Sequence, residues 1–284
     1  MEAAVIALLS AMFFASGNVV ARLGLLKHAS PFSSSVLFVS ASAVVWLLVL
    51  LLRLPLPSAD SLPFYAMRGI LDPGLAALFI FVAFRKLGAS LTIPIISASA
   101  LVASALSVIF LGEQLTFPVV AGTLLIVGGV SMLSLGHGRV KGNGRYILAA
   151  IAGSFFIGAA NVFTKAALNI SNTPVSGFGF AIAVGLCLHA VILSVAGKWK
   201  ELPLSFGKAK VFLVAGLFIA AAFITNFIAL SLGTVSVVYP LVSTQSLFAL
   251  FMSYMLLRKE EVITRNVILG TILVVTGAVF LTVF

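Results

Sequence analysis

The sequence predicts an all-α integral membrane protein whose ten transmembrane helices form two inverted five-helix repeats. Three observations predict it: a composition suited to lipid, ten apolar runs of spanning length, and an ordered internal repeat. Of 284 residues, 62% are hydrophobic and only 8% are charged, whereas a typical soluble domain is about a quarter charged. Such a chain cannot cover a water-facing surface, so lipid must solvate most of it.

Crossing the hydrocarbon core takes about 20 mostly apolar residues. By that criterion the predicted spans run 3–26, 33–52, 64–86, 89–112, 117–136, 146–168, 174–197, 211–231, 234–257 and 266–284. Turn signals separate them: Ser30-Pro31, the loop from Pro55 to Pro63, the stretch from Gly136 to Gly144, Thr173-Pro174 and Leu202-Pro203. The first span follows no basic leader and is long, so it is expected to be retained rather than cleaved. No segment is long and polar enough to fold as a soluble domain.

Basic residues sort by side. If the spans alternate, one side holds Lys27, Arg85, Lys86, Arg139, Lys141, Arg145, Lys198, Lys200, Lys208, Lys210, Arg258, Lys259 and Arg265. The other side holds Arg53 and little else. The positive-inside bias supports an even span count and places the basic loops in the cytoplasm, with both termini outside. The net charge of +10 is thereby read as topology and contact with anionic lipid headgroups. No basic stripe with interleaved aromatics points to nucleic acid.

The repeat follows in order. Asn18-Val-Val-Ala-Arg22 and then Pro31 recur as Asn161-Val-Phe-Thr-Lys165 and then Pro174. Pro94-Ile-Ile-Ser97 recurs as Pro240-Leu-Val-Ser243. Glu113-Gln-Leu-Thr116 with Gly122-Thr-Leu-Leu recurs as Glu261-Val-Ile-Thr264 with Gly270-Thr-Ile-Leu. Two five-span units are expected, residues 1–138 and 145–284, joined by a cytoplasmic linker at 139–144. Five is odd, so consecutive copies enter the membrane in opposite orientations. The charges agree: the loop between spans 2 and 3 is poor in basic residues while its mate, between spans 7 and 8, is rich. Inverted repeats of this kind mark secondary transporters, with the site near the midplane between the halves.

The pattern resembles the drug/metabolite transporter superfamily, in particular its ten-helix EamA-type members. The most specific stretch is Leu111-Gly-Glu-Gln-Leu-Thr116 leading into Gly122-Thr-Leu-Leu-Ile-Val-Gly-Gly-Val130, which is similar to the family's Gly-Glu signature between its fourth and fifth helices. The second copy departs from it, with Lys259-Glu260-Glu261. The opening Phe13-Phe14 and Gly17-Asn18 lacks the family's Trp. The resemblance implies a central cavity formed by helices 1, 3, 4, 6, 8 and 9, with alternating access, and most often export of amino acids or similar metabolites across a bacterial inner membrane.

Several residues are candidates for that cavity. Pro94 and Pro240 each leave a carbonyl unpaired four residues earlier, at Ser90 and Ser236; as interruptions at matching repeat positions they are candidate hinges. Asp72 is the one acid placed well inside a span. A membrane-embedded carboxylate costs about 2.5–3.5 kcal/mol on insertion scales, so it either serves the site, binding a proton or a cationic group, or pairs with Arg68 one turn earlier. Asp72-Pro73 also predicts a kink that frees the Gly69 carbonyl. Asn18 and Asn161 occupy equivalent positions, open to interhelical hydrogen bonding or to cavity lining. Asn226, Tyr239, Gln245, Ser97 and Ser99 complete the candidate substrate-binding set, with Ser243 beside them. Arg22 and Lys165 are expected to snorkel to headgroups. Glu113 and Glu261, beside Thr116 and Thr264, are expected to serve helix N-termini. Phe14, Phe79 and Phe156 are candidate walls, His189 a structural histidine, and Cys187 a buried thiol.

Other chemistries find no support in the sequence. There is no nucleotide-binding loop, no metal-ligand cluster and no Ser/His/Asp arrangement, so no cofactor is expected and the chain is not read as an enzyme. The partners expected are a small-molecule substrate, membrane lipids and, with Asp72 as the coupling residue, protons. A channel, or a flippase for a lipid-linked or amphipathic substrate, is the nearer alternative, the flippase through Arg22, Lys165 and Arg68; an intramembrane lipid-modifying enzyme is the further one.

Overall fold

The structure is a computed structural model; it describes residues 1–27, 39, 44–87, 92, 95–135, 144–197, 206–256 and 265–283. Every regular element among them is a helix: α1 (Glu2–Lys27), α2 (Val44–Leu51), α3 (Leu62–Gly69), α4 (Ala76–Leu87), α5 (Ser99–Leu111), α6 (Phe117–Leu135), α7 (Gly144–Ile170), α8 (Pro174–Ala196), α9 (Phe206–Leu232), α10 (Val235–Ser243), α11 (Gln245–Leu256) and α12 (Arg265–Val283). A short 3₁₀ turn (Ala59–Ser61) precedes α3, and a π-helical stretch (Ile70–Leu75) joins α3 to α4. Helix occupies part or all of each of the ten predicted spans. Six segments are long and apolar enough to cross a membrane: Glu2–Ala21, Ala59–Leu87, Gly144–Ile170, Pro174–Ala196, Lys210–Leu232 and Val235–Met252. Ile95–Leu111, Phe117–Met132 and Leu269–Leu281 are shorter and also apolar. Large apolar side chains such as Phe117, Ile109 and Val195 stand on the outer surface, which suits lipid and not water.

Small residues set the packing, because in lipid there is no hydrophobic drive between helices and close approach of backbones must supply the contact. Along α1, Ala4, Ala7, Ala11 and Ala15 are buried. They lie against α9, where Ala215, Ala222 and Ala229 are also buried. The register is antiparallel: a Cβ on Gly233 would meet Ala3, Ser10 Oγ donates to the Ala222 carbonyl at 2.8 Å, and a Cβ on Gly17 would meet Ile219 and the Ala215 carbonyl.

The second extensive interface joins α6 to α12. A Cβ on Gly122 would lie 2.9 Å from the Gly277 carbonyl, and one on Gly129 would lie 2.6 Å from the Gly270 carbonyl. Gly122 and Gly270 are sequence-repeat mates, as are Gly129 and Gly277, so the two contacts are the same contact seen from each half. The helices therefore run antiparallel. Left-handed glycines end two helices, Gly112 (φ 66°) after α5 and Gly197 (φ 63°) after α8, as αL C-caps require.

Two expectations are corrected. Cys187 is exposed on the outer face of α8 rather than buried; a run that is apolar all round carries no signal for which side faces protein. The kink at Asp72-Pro73 is present, but as a π-helical stretch in which Asp72 itself is extended (φ −151°, ψ 117°). Pro94, Glu261, Thr264, Pro31, Ser90 and the linker 139–143 lie outside the described residues, as does the side chain of Arg22.

Candidate functional site

The α3–α4 path breaks where Pro73 removes a backbone donor. The break turns Asp72 toward the molecular centre, where it is 7% exposed. Arg68, 1% exposed, reaches it from the preceding turn: Nη1 donates to Asp72 Oδ2 at 2.8 Å and to the Asp72 main-chain carbonyl. The guanidinium carbon sits 5.0 Å from the Phe223 ring centre and 5.7 Å from that of Phe227, so α9 supplies an aromatic platform for the cation.

α10 and α11 form one path broken at Thr244 (φ −64°, ψ −6°), four residues after Pro240. In the first half, Ala98 (φ −64°, ψ −13°) precedes α5 at the equivalent position. The two breaks meet. Ser97 Oγ lies 2.7 Å from Ser246 Oγ and donates to the Ser243 carbonyl at 3.2 Å; Ser99 Oγ donates to the Tyr239 hydroxyl at 3.4 Å.

Around this crossing is a cavity of about 60 Å³ lined by Phe14 and Asn18 (α1), Asp72, Pro73, Ala77, Ile80 and Phe81 (the π stretch and α4), Ile96 (just before α5), Ile157 and Asn161 (α7), Ile219, Phe223 and Asn226 (α9), Tyr239 (α10) and Gln245 (α11). Its residues come from predicted spans 1, 3, 4, 6, 8 and 9. Asn18 Nδ2 donates to Gln245 Oε1 at 3.1 Å, bridging α1 to α11. Asn161 Nδ2 donates to its own helix, at the Ile157 carbonyl, 2.8 Å away. Asn226 makes no hydrogen bond with either side-chain atom among the described residues.

On one side of the cavity the α9–α10 turn is clasped from two directions. Glu113 accepts from the backbone N–H of Val235 (2.8 Å) and Ser236 (2.9 Å), and Lys165 Nζ donates to the Leu230 carbonyl at 2.8 Å. An anion thus meets the N-terminus of α10 and a cation the C-terminus of α9, as the helix dipoles favour.

A family model described as the EamA-like transporter family matches this chain twice, over residues 1–135 and 144–283. The chain belongs to the EamA-like transporter family. It is thus a multi-pass membrane protein of a family of transporters, not enzymes. No curated protein matches it in sequence. A solved structure described only as "Crystal structure of protein" superposes with a TM-score of 0.74 at 18% identity, covering 99% of this chain and 96% of that one; at that identity the likeness speaks for the fold alone.

In this EamA-like chain the structure brings Asn18, Asp72, Asn161, Asn226, Tyr239 and Gln245 around one cavity, with Ser97 and Ser99 bonded just behind it. Asp72 both lines the cavity and pairs with Arg68. Phe14 is a wall, but Phe79 and Phe156 are not in the lining; they meet each other at 5.6 Å. Phe81 and Phe223 take that place. Lys165 does not reach free to headgroups; it ends on a helix carbonyl. Glu113 serves a helix N-terminus, though that of α10 in the other half rather than of its neighbour α6. His189 is fully buried, its Nδ1 2.9 Å from the Gly185 carbonyl, and has no place in the lining.

Proposed function

We propose that the chain is a secondary transporter with ten spans in two inverted repeats, carrying a small polar or amphipathic metabolite across a bacterial inner membrane by alternating access. The observation that carries this reading is the cavity between the halves, lined by polar side chains from five predicted spans beside the crossing of two broken helices. The antiparallel contact of the repeat mates α6 and α12, and the matching breaks at Ala98 and Thr244, support the inverted relation. Rocking would turn on the paths containing Pro94 and Pro240. Basic loops would face the cytoplasm and both termini the outside.

Two experiments test it. Cys187 is the one cysteine, so single cysteines placed at Ser58 and Gly138 of a Cys187→Ala chain report topology. A membrane-impermeant maleimide on intact cells should label position 58 and spare position 138; the reverse would invert the proposed orientation. Proton coupling through Asp72 is tested in vesicles: Asp72→Asn should abolish accumulation driven by a pH gradient, and unchanged gradient-driven transport would sink it. A flippase with a deep cationic patch is disfavoured, because Arg68 is committed to Asp72 and Lys165 to Leu230.

A further inference from the structure

The cavity's polar lining consists of three asparagines (Asn18, Asn161 and Asn226), one glutamine, one phenol and one carboxylate. The carboxylate is already matched inside the protein, since Arg68 holds Asp72 Oδ2 at 2.8 Å and is itself 1% exposed under two aromatic rings. No lysine, arginine or histidine is among the described lining residues. Counted with its buried partner, the described lining carries no net charge. A charged solute entering it would lose its hydration and gain no free counter-ion, a large penalty away from water. A zwitterion would have to split the Arg68–Asp72 pair.

The carboxamides offer the opposite. Asn226 is 1% exposed, lies in the lining, and neither its Nδ2 nor its Oδ1 has a partner among the described residues. Asn161 is 2% exposed and leaves Oδ1 without a partner among the described residues. A buried amide with no partner is costly and calls for an explanation. An amide presents a donor and an acceptor side by side, so its complement is a group that does the same: a carboxamide, a lactam or a urea edge. Phe14, Phe81 and Phe223 then provide apolar walls for the rest of the solute, and aromatic walls suit a planar body.

We propose that the cavity takes an uncharged solute with an amide-like donor–acceptor edge on a compact apolar body, and that Asn226 reads that edge. It rests on the transporter reading of the same cavity and narrows its substrate class.

The test uses the full chain in detergent, with thermal stabilisation read against nicotinamide, uracil, nicotinate and glutamine. Nicotinamide and nicotinate share one ring and differ in the charge of a single group; glutamine offers the same amide on a zwitterion. Stabilisation requires preferential binding to the native state. The uncharged pair should act at concentrations at least about tenfold lower than nicotinate or glutamine, a difference equivalent to 1.4 kcal/mol. Asn226→Leu should abolish the effect while leaving the unliganded protein no less stable, because leucine removes a buried amide that has no partner. Asn226→Gln, which keeps the chemistry and displaces the edge, should fold and bind more weakly. Equal or tighter binding of nicotinate or glutamine, no binding of either uncharged probe, or full binding by Asn226→Leu would each overturn the proposal. Flux of labelled uracil into vesicles separates the two readings. Binding without flux leaves the solute class standing and sinks the carrier; flux that prefers nicotinate does the reverse.

Discussion

Replacing Arg68 with methionine keeps a long side chain in the slot beneath Phe223 and Phe227 but removes every polar contact that the guanidinium makes. Asp72 then loses the 2.8 Å donor on Oδ2, and its main-chain carbonyl loses the same nitrogen. Breaking one side of a buried ion pair costs about 3–5 kcal/mol, and the cation–π contacts with two rings add on the order of 1 kcal/mol. Asp72→Asn should cost less, because Arg68 keeps the Asp72 carbonyl and both rings. The double variant removes both charges, so its cost should fall below the sum of the single ones by about 0.5–3 kcal/mol, the range for groups in direct contact. Equilibrium unfolding of the four proteins in mixed micelles, by graded addition of a denaturing detergent, gives the cycle. Strict additivity, or an Arg68→Met cost under about 1 kcal/mol, a typical ceiling for an exposed pair, would refute the claim that this pair is buried and coupled.

Glu113→Ala should destabilise by about 0.5–2 kcal/mol, the range for losing a helix N-cap, and Lys165→Met should add to it only partly, since both hold one turn; thermal unfolding of the single and double variants checks this. Gly129→Val or Gly122→Leu would place side-chain atoms where carbonyls of α12 lie within 3 Å of a Cβ, so monodisperse protein should be lost on size-exclusion chromatography; normal elution and stability would refute the close approach. Ser97→Ala should cost about 0.6 kcal/mol, the mean for an intramembrane hydrogen bond, and the Ser97→Ala/Ser246→Ala pair should cost less than twice that by the same unfolding assay. Cys187, exposed on α8, should react with a lipid-soluble maleimide far faster than with a charged one; equal rates would place it in water.

The apolar helices were legible because runs of membrane length leave little alternative, and the family model matches the chain in the two stretches where Asn, Pro, Glu and Thr recur in order. The polar candidates converge for the same reason: in an apolar run, Asn18, Asn161, Asn226 and Gln245 are costly against lipid, so folding turns them inward. What side faces what was less readable. Phe79 and Phe81 are two residues apart, and nothing in the sequence says that Phe81 is the wall and Phe79 the lipid-side neighbour of Phe156. Cys187 fails the same way. Glu113 shows a different limit: its role as a cap was readable from its type and place, but its partner lies more than a hundred residues away, across the interface of the halves. The kink at Pro73 was readable, whereas the π stretch that lets Asp72 meet both Arg68 and the cavity is a tertiary compromise.

The glycine contacts between α6 and α12 bear on how the chain is made. The surface that α6 touches, at Gly270 and Gly277, is made more than a hundred residues later, with α12. Until α12 is made, the glycine strip of α6 lacks this partner. The interface between the two helices is completed only once α12 has been made.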